Sequence, residues 1–209
     1  ASVRFLHAAA GLGATQLRMD QDTVSAAANA QAMPESPPRF DAPPGARTFK
    51  IERHADGAAV VLAELAVVLE AERRYLLVLS NAADGKGVLR LLLDDQQAAA
   101  GAKDTLVRVV NLASGPDIID VELSPGWSFA NLGPGRGSAY LARPAAKVKL
   151  TGVKGLDAAA DPVYQQDELM LQAGHRYIVV LTSSTIPSGD RRVAWIVDEA
   201  PEPPPEKDP

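Results

Sequence analysis

The chain contains no cysteine. That excludes disulfide bridges, thiolate zinc sites and cysteine nucleophiles. Aromatic residues make up only 5% of the 209 residues, so any core has to be built from Val, Leu, Ile and Ala. There is no run of Lys or Arg, and the net charge is −5. A nucleic-acid surface needs clustered positive charge, so nucleic acid is set aside as a partner, and an anionic membrane surface with it. No apolar run approaches the ~20 residues of a helical membrane span. Only three histidines occur, His7, His54 and His175, and no two stand at metal-ligand spacing such as i, i+4.

What is present is repetition. Ser2-Val3-Arg4-Phe5-Leu6-His7-Ala8-Ala9 returns as Leu106-Val107-Arg108-Val109-Val110-Asn111-Leu112-Ala113. Gln16-Leu17-Arg18-Met19 returns as Asp120-Val121-Glu122-Leu123, and Phe49-Lys50-Ile51-Glu52 as Val148-Lys149-Leu150-Thr151. Residues 64–80 (ELAVVLEAERRYLLVLS) return as 168–183 (ELMLQAGHRYIVVLTS), and residues 89–95 as 193–199. Five blocks in one order, roughly 100 residues apart, mark a duplicated unit. The expected boundaries are residues 1–98 and 103–200, joined by a short linker over 94–104.

Each copy reads as short strands. Apolar and polar residues alternate in Val3-Arg4-Phe5 and Leu17-Arg18-Met19, the period of a half-buried strand. Turn signals such as Pro43-Pro44-Gly45, Asp84-Gly85-Lys86-Gly87 and Ser124-Pro125-Gly126 separate these from Leu- and Val-rich runs. About seven strands per copy suggest a sandwich, and Tyr75 and Tyr177 stand where a tyrosine corner opens the penultimate strand. The expected fold is therefore all-β, two tandem immunoglobulin-like β-sandwich domains. Side chains alternate across a strand, so Arg4 and Arg108 are expected on the solvent side, opposite Val3/Phe5 and Val107/Val109. The alanine-rich run at 26–32 reads as a loop insertion in the first copy. Residues 201–209 are Pro-rich and charged, with no core to join. An already extended polyproline tail suits docking, so self-association through this tail is expected.

These motifs resemble a bacterial family, domain of unknown function 4397. Its members open each repeat with a Val-Arg-Phe/Val-(Leu/Val)-(His/Asn)-Ala-like strand and carry an Ala-Gly-x-x-Tyr-x-Val-Val-Leu-Thr block before the last strand. The matching residues are Val3 to Ala8, Val107 to Leu112, and Leu171 to Thr182. Glu72 stands where the second copy has Gly174, a departure that bears on the first tyrosine corner. The resemblance implies an exported, cell-envelope or extracellular module.

Signals for chemistry are sparse. Asp20/Asp22, Asp94/Asp95 and Asp198/Glu199 could ligate calcium with loop carbonyls or could be solvated strand ends, and the second reading is preferred. No Gly-x-Ser-x-Gly elbow occurs. The glycine-rich stretch 133–138 (GPGRGS) offers amides and Arg136 to an anion, but it lacks the ending of a phosphate loop and reads as a strand connection. Trp127 and Phe129 alternate after a turn. If exposed, they would form with Arg136 and Tyr140 an aromatic patch suited to a sugar or a protein; the other reading is core. No cofactor and no metal is implied. The expected function is a non-catalytic structural or binding module of the cell envelope. It would be periplasmic or extracellular, since a start at Ala1 fits a removed signal peptide, and its partner would be a protein or a glycan. The alternatives are an accessory protein in polysaccharide export or modification and, further off, a hydrolase.

Overall fold

The computed structural model describes residues 1–9, 11–26, 37–55, 58–94, 103–114, 117–154, 162–186 and 189–199. The loop insertion expected at 27–32, most of the linker over 94–104 and the Pro-rich tail 201–209 lie outside the described residues. Within them the chain is all-β, with sixteen strands and no helix. No helix long and apolar enough to cross a membrane is found there.

The first eight strands are β1 (Ser2–His7), β2 (Gln16–Met19), β3 (Asp22–Ala26), β4 (Arg39–Asp41), β5 (Gly45–Ala55), β6 (Ala58–Leu69), β7 (Arg74–Asn81) and β8 (Gly87–Leu93). The second eight are β9 (Asp104–Asn111), β10 (Ile119–Ser124), β11 (Trp127–Leu132), β12 (Leu141–Pro144), β13 (Ala146–Lys154), β14 (Tyr164–Leu171), β15 (Arg176–Ile186) and β16 (Gly189–Glu199). They form four sheets of four strands, in the orders β4-β1-β7-β8, β3-β2-β5-β6, β12-β9-β15-β16 and β11-β10-β13-β14. The second set thus repeats the pairing of the first strand for strand. That includes a parallel pair, β1 with β7 and β9 with β15, among otherwise antiparallel ladders. The short edge strands β4 and β12 carry no period-2 signal, and the sequence reading of seven strands per copy misses them.

Three apolar clusters result. Val3, Phe5, Leu17, Phe49, Ile51, Leu77 and Leu79 fill the space between the first two sheets. Val107, Val109, Val121, Trp127, Phe129, Leu150 and Val179 do the same between the last two. The third cluster joins the halves: Leu6, Ala8, Leu76 and Val78 on β1, its flank and β7 meet Val110, Leu112, Ile178, Val180 and Val197 on β9, its flank, β15 and β16. The sheets carrying β1 and β9 are therefore covered on both faces, and β7 is buried along almost its whole length.

This third cluster overturns one sequence expectation. Arg4 and Arg108 do point away from Val3/Phe5 and Val107/Val109, as alternation requires, but the face they point to is not solvent. It is covered by the other half, and the two arginines are only 4% and 7% exposed.

The ladders also shift one of the repeats. Met19 pairs with Phe49 and Leu123 with Leu150, so Phe49 corresponds to Leu150 rather than to Val148. Ile51 then corresponds to Gly152, where the Tyr164 ring takes up the space. A Cβ on Gly152 would come within 3.1 Å of that ring.

Both tyrosine corners are built. The Glu70 amide donates to the Tyr75 hydroxyl at 3.0 Å, and the Gln172 amide to the Tyr177 hydroxyl at 3.1 Å. Glu72 does not disturb the first corner. It adopts the left-handed conformation, φ 60°, that Gly174 adopts at φ 79° in the second.

Candidate functional site

The four residues singled out as a surface patch are not brought together. Trp127 and Phe129 lie on one face of β11, but that face is the inner one, and they are 3% and 4% exposed in the second core. The turn at Pro125 and Gly126 starts the strand with its odd positions inward, so the exposed aromatic patch does not exist. Arg136 is exposed in the connection after β11. Its loop is pinned to β9 and closed on itself: the Gly135 amide donates to the Asn111 carbonyl at 2.8 Å and the Ser138 amide to the Val109 carbonyl at 2.8 Å, while the Arg136 amide donates to the Gly133 carbonyl at 3.1 Å. Those amides are spent inside the chain and are not free to cradle an anion.

Tyr140 leads instead to the most charged buried site among the described residues. Asp94, at the end of β8, was expected as a solvated strand end or a calcium ligand. Its side chain is 1% exposed. Arg4 Nη2 donates to its Oδ2 at 2.8 Å, and the Tyr140 hydroxyl donates to its Oδ1 at 2.7 Å. Arg108 and Arg176 approach Oδ1 at 3.5 and 3.7 Å. The guanidinium carbons of these two arginines also lie 5.1 and 4.9 Å from the centre of the Tyr140 ring, where a cation meets the negative face of an aromatic. Arg4 further donates to the Asp198 carbonyl at 3.3 Å and Arg108 to the Leu93 carbonyl at 3.0 Å. Burial, and after it the Asp94 carboxylate, pushes the Tyr140 hydroxyl well above its ordinary pKa, so it stays a donor.

The chemistry of this cluster is structural. A carboxylate taken out of water needs its oxygens filled by donors, and here the donors come from both halves: Arg4 from the first, Arg108, Tyr140 and Arg176 from the second. The cluster fixes one half against the other and leaves Asp94 no room to act as a metal ligand. Sequence reasoning missed it, although the matched pair Arg4/Arg108 was visible as a repeat.

The histidines are separate. His54 is exposed and lies 3.3 Å from Gln16 Oε1. His7 is buried, its two ring nitrogens have no hydrogen-bond partner, and burial lowers its pKa. His175 is half-buried, with Nδ1 2.8 Å from Asp198 Oδ1 and its ring stacked on Tyr177 at 6.0 Å between centres. Among the described residues no three His, Asp or Glu side chains converge as a metal site would require.

Residues 1–123, more than half of the chain, match the family model described as domain of unknown function (DUF4397). The chain belongs to this family. The match covers the first eight strands and ends in β10, inside the second set. The strands of the DUF4397 match therefore supply Arg4, Asp94 and Arg108, while Tyr140 and Arg176 lie beyond it. No curated protein matches the chain.

Proposed function

We propose that this protein is a non-catalytic module of the bacterial cell envelope, periplasmic or extracellular, that works through contacts with a protein or glycan partner. In this reading residues 1–98 and 103–200 are two tandem immunoglobulin-like β-sandwich domains acting as one rigid body. The observation that carries it is the shared strand order of the two halves, with both halves contributing donors to the buried Asp94. A chain that spends its buried charge on holding two β units in one orientation presents surfaces in a fixed geometry, which is what a scaffold or binding module needs.

The outer sheet faces support the same reading. They carry exposed ion pairs, Lys50–Glu64 on one, Lys147–Glu168 and Lys149–Asp167 on the other. Such faces are solvated, which leaves edges and loops as the contact regions. The test is capture. Immobilised protein is incubated with envelope extract and with isolated cell-wall and exopolysaccharide fractions. A saturable partner in either supports the reading, and none in both overturns it.

A second reading, a hydrolase, draws on the His175–Asp198 pair, since an oriented imidazole is the base that acyl transfer uses. Turnover of ester, peptide or glycoside substrates that is lost in His175→Ala would establish it in place of the first.

A further inference from the structure

The matched strands β6 and β14 are both the last in their outer sheets, so among the described residues each has one side without a hydrogen-bonded neighbour. Free strand edges are templates for pairing, and folded proteins blunt them with charge, short length or bulges. β14 is blunted by charge and by a bulge. It carries the charges Asp167 and Glu168 side by side, and Glu168 takes φ 60° where the ladder slips against Val148 and Leu150. β6 has twelve residues with a single charge, Glu64, and that carboxylate is already held by Lys50 at 3.7 Å. Its ladder slip falls at Leu62, which leaves 63–69 as one straight run.

Along that run the side chains alternate. Ala63, Leu65, Val67 and Leu69 face the core, and β8 of the facing sheet comes close at the Leu62 end, where a Cβ on Gly87 would lie 3.4 Å from the Leu62 carbonyl oxygen, yet Leu65 and Val67 remain only half-buried. Glu64, Ala66 and Val68 face out, and Val68 is 72% exposed.

We propose that β6 pairs antiparallel with β6 of a second copy of this chain, about a two-fold axis at Ala66. This pairing rests on the sheet edge and deepens the module reading by naming one partner. The register follows from the residues. A pairing centred on Ala66 uses the whole straight run, setting Ala63 against Leu69, Glu64 against Val68 and Leu65 against Val67 of the other copy. Centring on Glu64 would oppose two like charges, which disfavours a cross-strand pair, and would run the ladder into the bulge. With Ala66 on the axis, the inward pairs Leu65 and Val67 complete each other's burial, and the exposed Val68 is covered by the stem of Glu64. The outcome is an eight-stranded sheet across two copies, an isologous contact of the commonest kind. The Pro-rich tail is not an alternative occupant of this edge, because proline has no N–H to give to a ladder and residues 201–209 contain five prolines.

The test is the mass in solution by sedimentation velocity with a dilution series. The wild type is expected at twice its 22.0 kDa chain mass. Ala66→Lys sets two ammonium groups face to face and should raise the dimer dissociation constant by roughly a hundredfold or more. Met170→Lys, at an exposed site on β14, should leave it unchanged. Since the chain has no cysteine of its own, Ala66→Cys gives an independent readout. Opposed strand residues lie about 4.5–5.5 Å apart, within disulfide reach, so mild oxidation should link the dimer through Ala66→Cys and not through Val60→Cys. A wild type that stays monomeric, a dimer whose mass survives Ala66→Lys, or no linked dimer in Ala66→Cys overturns the proposal. A monomer that still captures an envelope partner would overturn self-pairing alone and leave the module reading in place.

Discussion

His7 and Asn111 occupy the same position in the two halves, the last residue of β1 and of β9, and they meet the same problem differently. Both side chains are buried. Asn111 donates to the carbonyls of Asp117 at 3.2 Å and Leu132 at 2.8 Å and accepts from the Ala113 amide at 3.0 Å, stitching two loops to the strand end. His7 forms no such bonds. The difference shows how one strand order, built twice, tolerates different buried polar residues. The ladders and cores repeat, while buried polar positions are free to become a fully satisfied hub in one half and an unsatisfied one in the other. The same split separates β14 from β6 and Gly174 from Glu72.

The largest effect tests what the halves share rather than how they differ. Asp94→Ala removes the acceptor at which Arg4, Tyr140, Arg108 and Arg176 meet. Leaving buried cations without their counter-charge costs about 3–5 kcal/mol. Urea unfolding should show that loss. A cost under about 1 kcal/mol would mean that the apolar residues of the third cluster hold the halves together without it.

Next comes one substitution made at the matched positions. Asn111→Leu deletes three hydrogen bonds and leaves buried carbonyls unmet, a loss of about 2–3 kcal/mol. His7→Leu removes a polar ring with no bonds to lose and should fall within about 1 kcal/mol of the wild type. Equal costs at the two sites would break the comparison.

The same pair predicts a pH effect in one half only. Burial holds the His7 pKa below the ordinary imidazole value of 6.5, so the unfolded chain binds the proton more tightly than the folded one. The sign follows by linkage. Stability is complete above about pH 7, declines as pH falls through 6.5 toward the depressed folded value, and levels off below it. Unfolding free energy measured from pH 8 to pH 5 should fall in the wild type and fall less in His7→Leu. Parallel profiles for the two would show that His7 is not the titrating group.

Much of this frame was legible in the sequence. The repeat blocks marked the strands, and the tyrosines marked the two corners. What failed was the meaning of one face. Val3-Arg4-Phe5 alternates, and alternation by itself implies one wet side. The neighbouring strands said otherwise: Leu76 to Leu79 and Ile178 to Leu181 are unbroken apolar runs, the pattern of a sheet covered on both faces. An arginine in such a sheet has to be paired, and the partner, Asp94, sits in a stretch that reads as linker. Partners 90 residues apart, as Arg4 and Asp94 are, leave no local signal. Trp127 and Phe129 shared a face, as their spacing required, but spacing alone does not say whether that face is the inner or the outer one.

The smallest effect concerns the two corners. Glu72 and Gly174 both sit three residues before the corner tyrosine with positive φ, 60° and 79°. For a residue with a Cβ this conformation costs roughly 1–2 kcal/mol, and glycine gives part of that back as extra unfolded-state entropy. Glu72→Gly should therefore stabilise the protein by about 0.5–1 kcal/mol, a rise in melting temperature of about 1–4 °C for a chain of this size. Glu72 is exposed, so no packing is lost with it. Its charge lies close to Glu70, which is paired with Arg73 at 3.0 Å, so relief of repulsion could imitate the backbone effect. Glu72→Ala separates the two, because it removes the charge and keeps the Cβ. A gain in Glu72→Gly that is absent in Glu72→Ala assigns the strain to the backbone of the first corner. Equal gains in both would assign it to charge, and the two corners would then differ in electrostatics rather than in conformation.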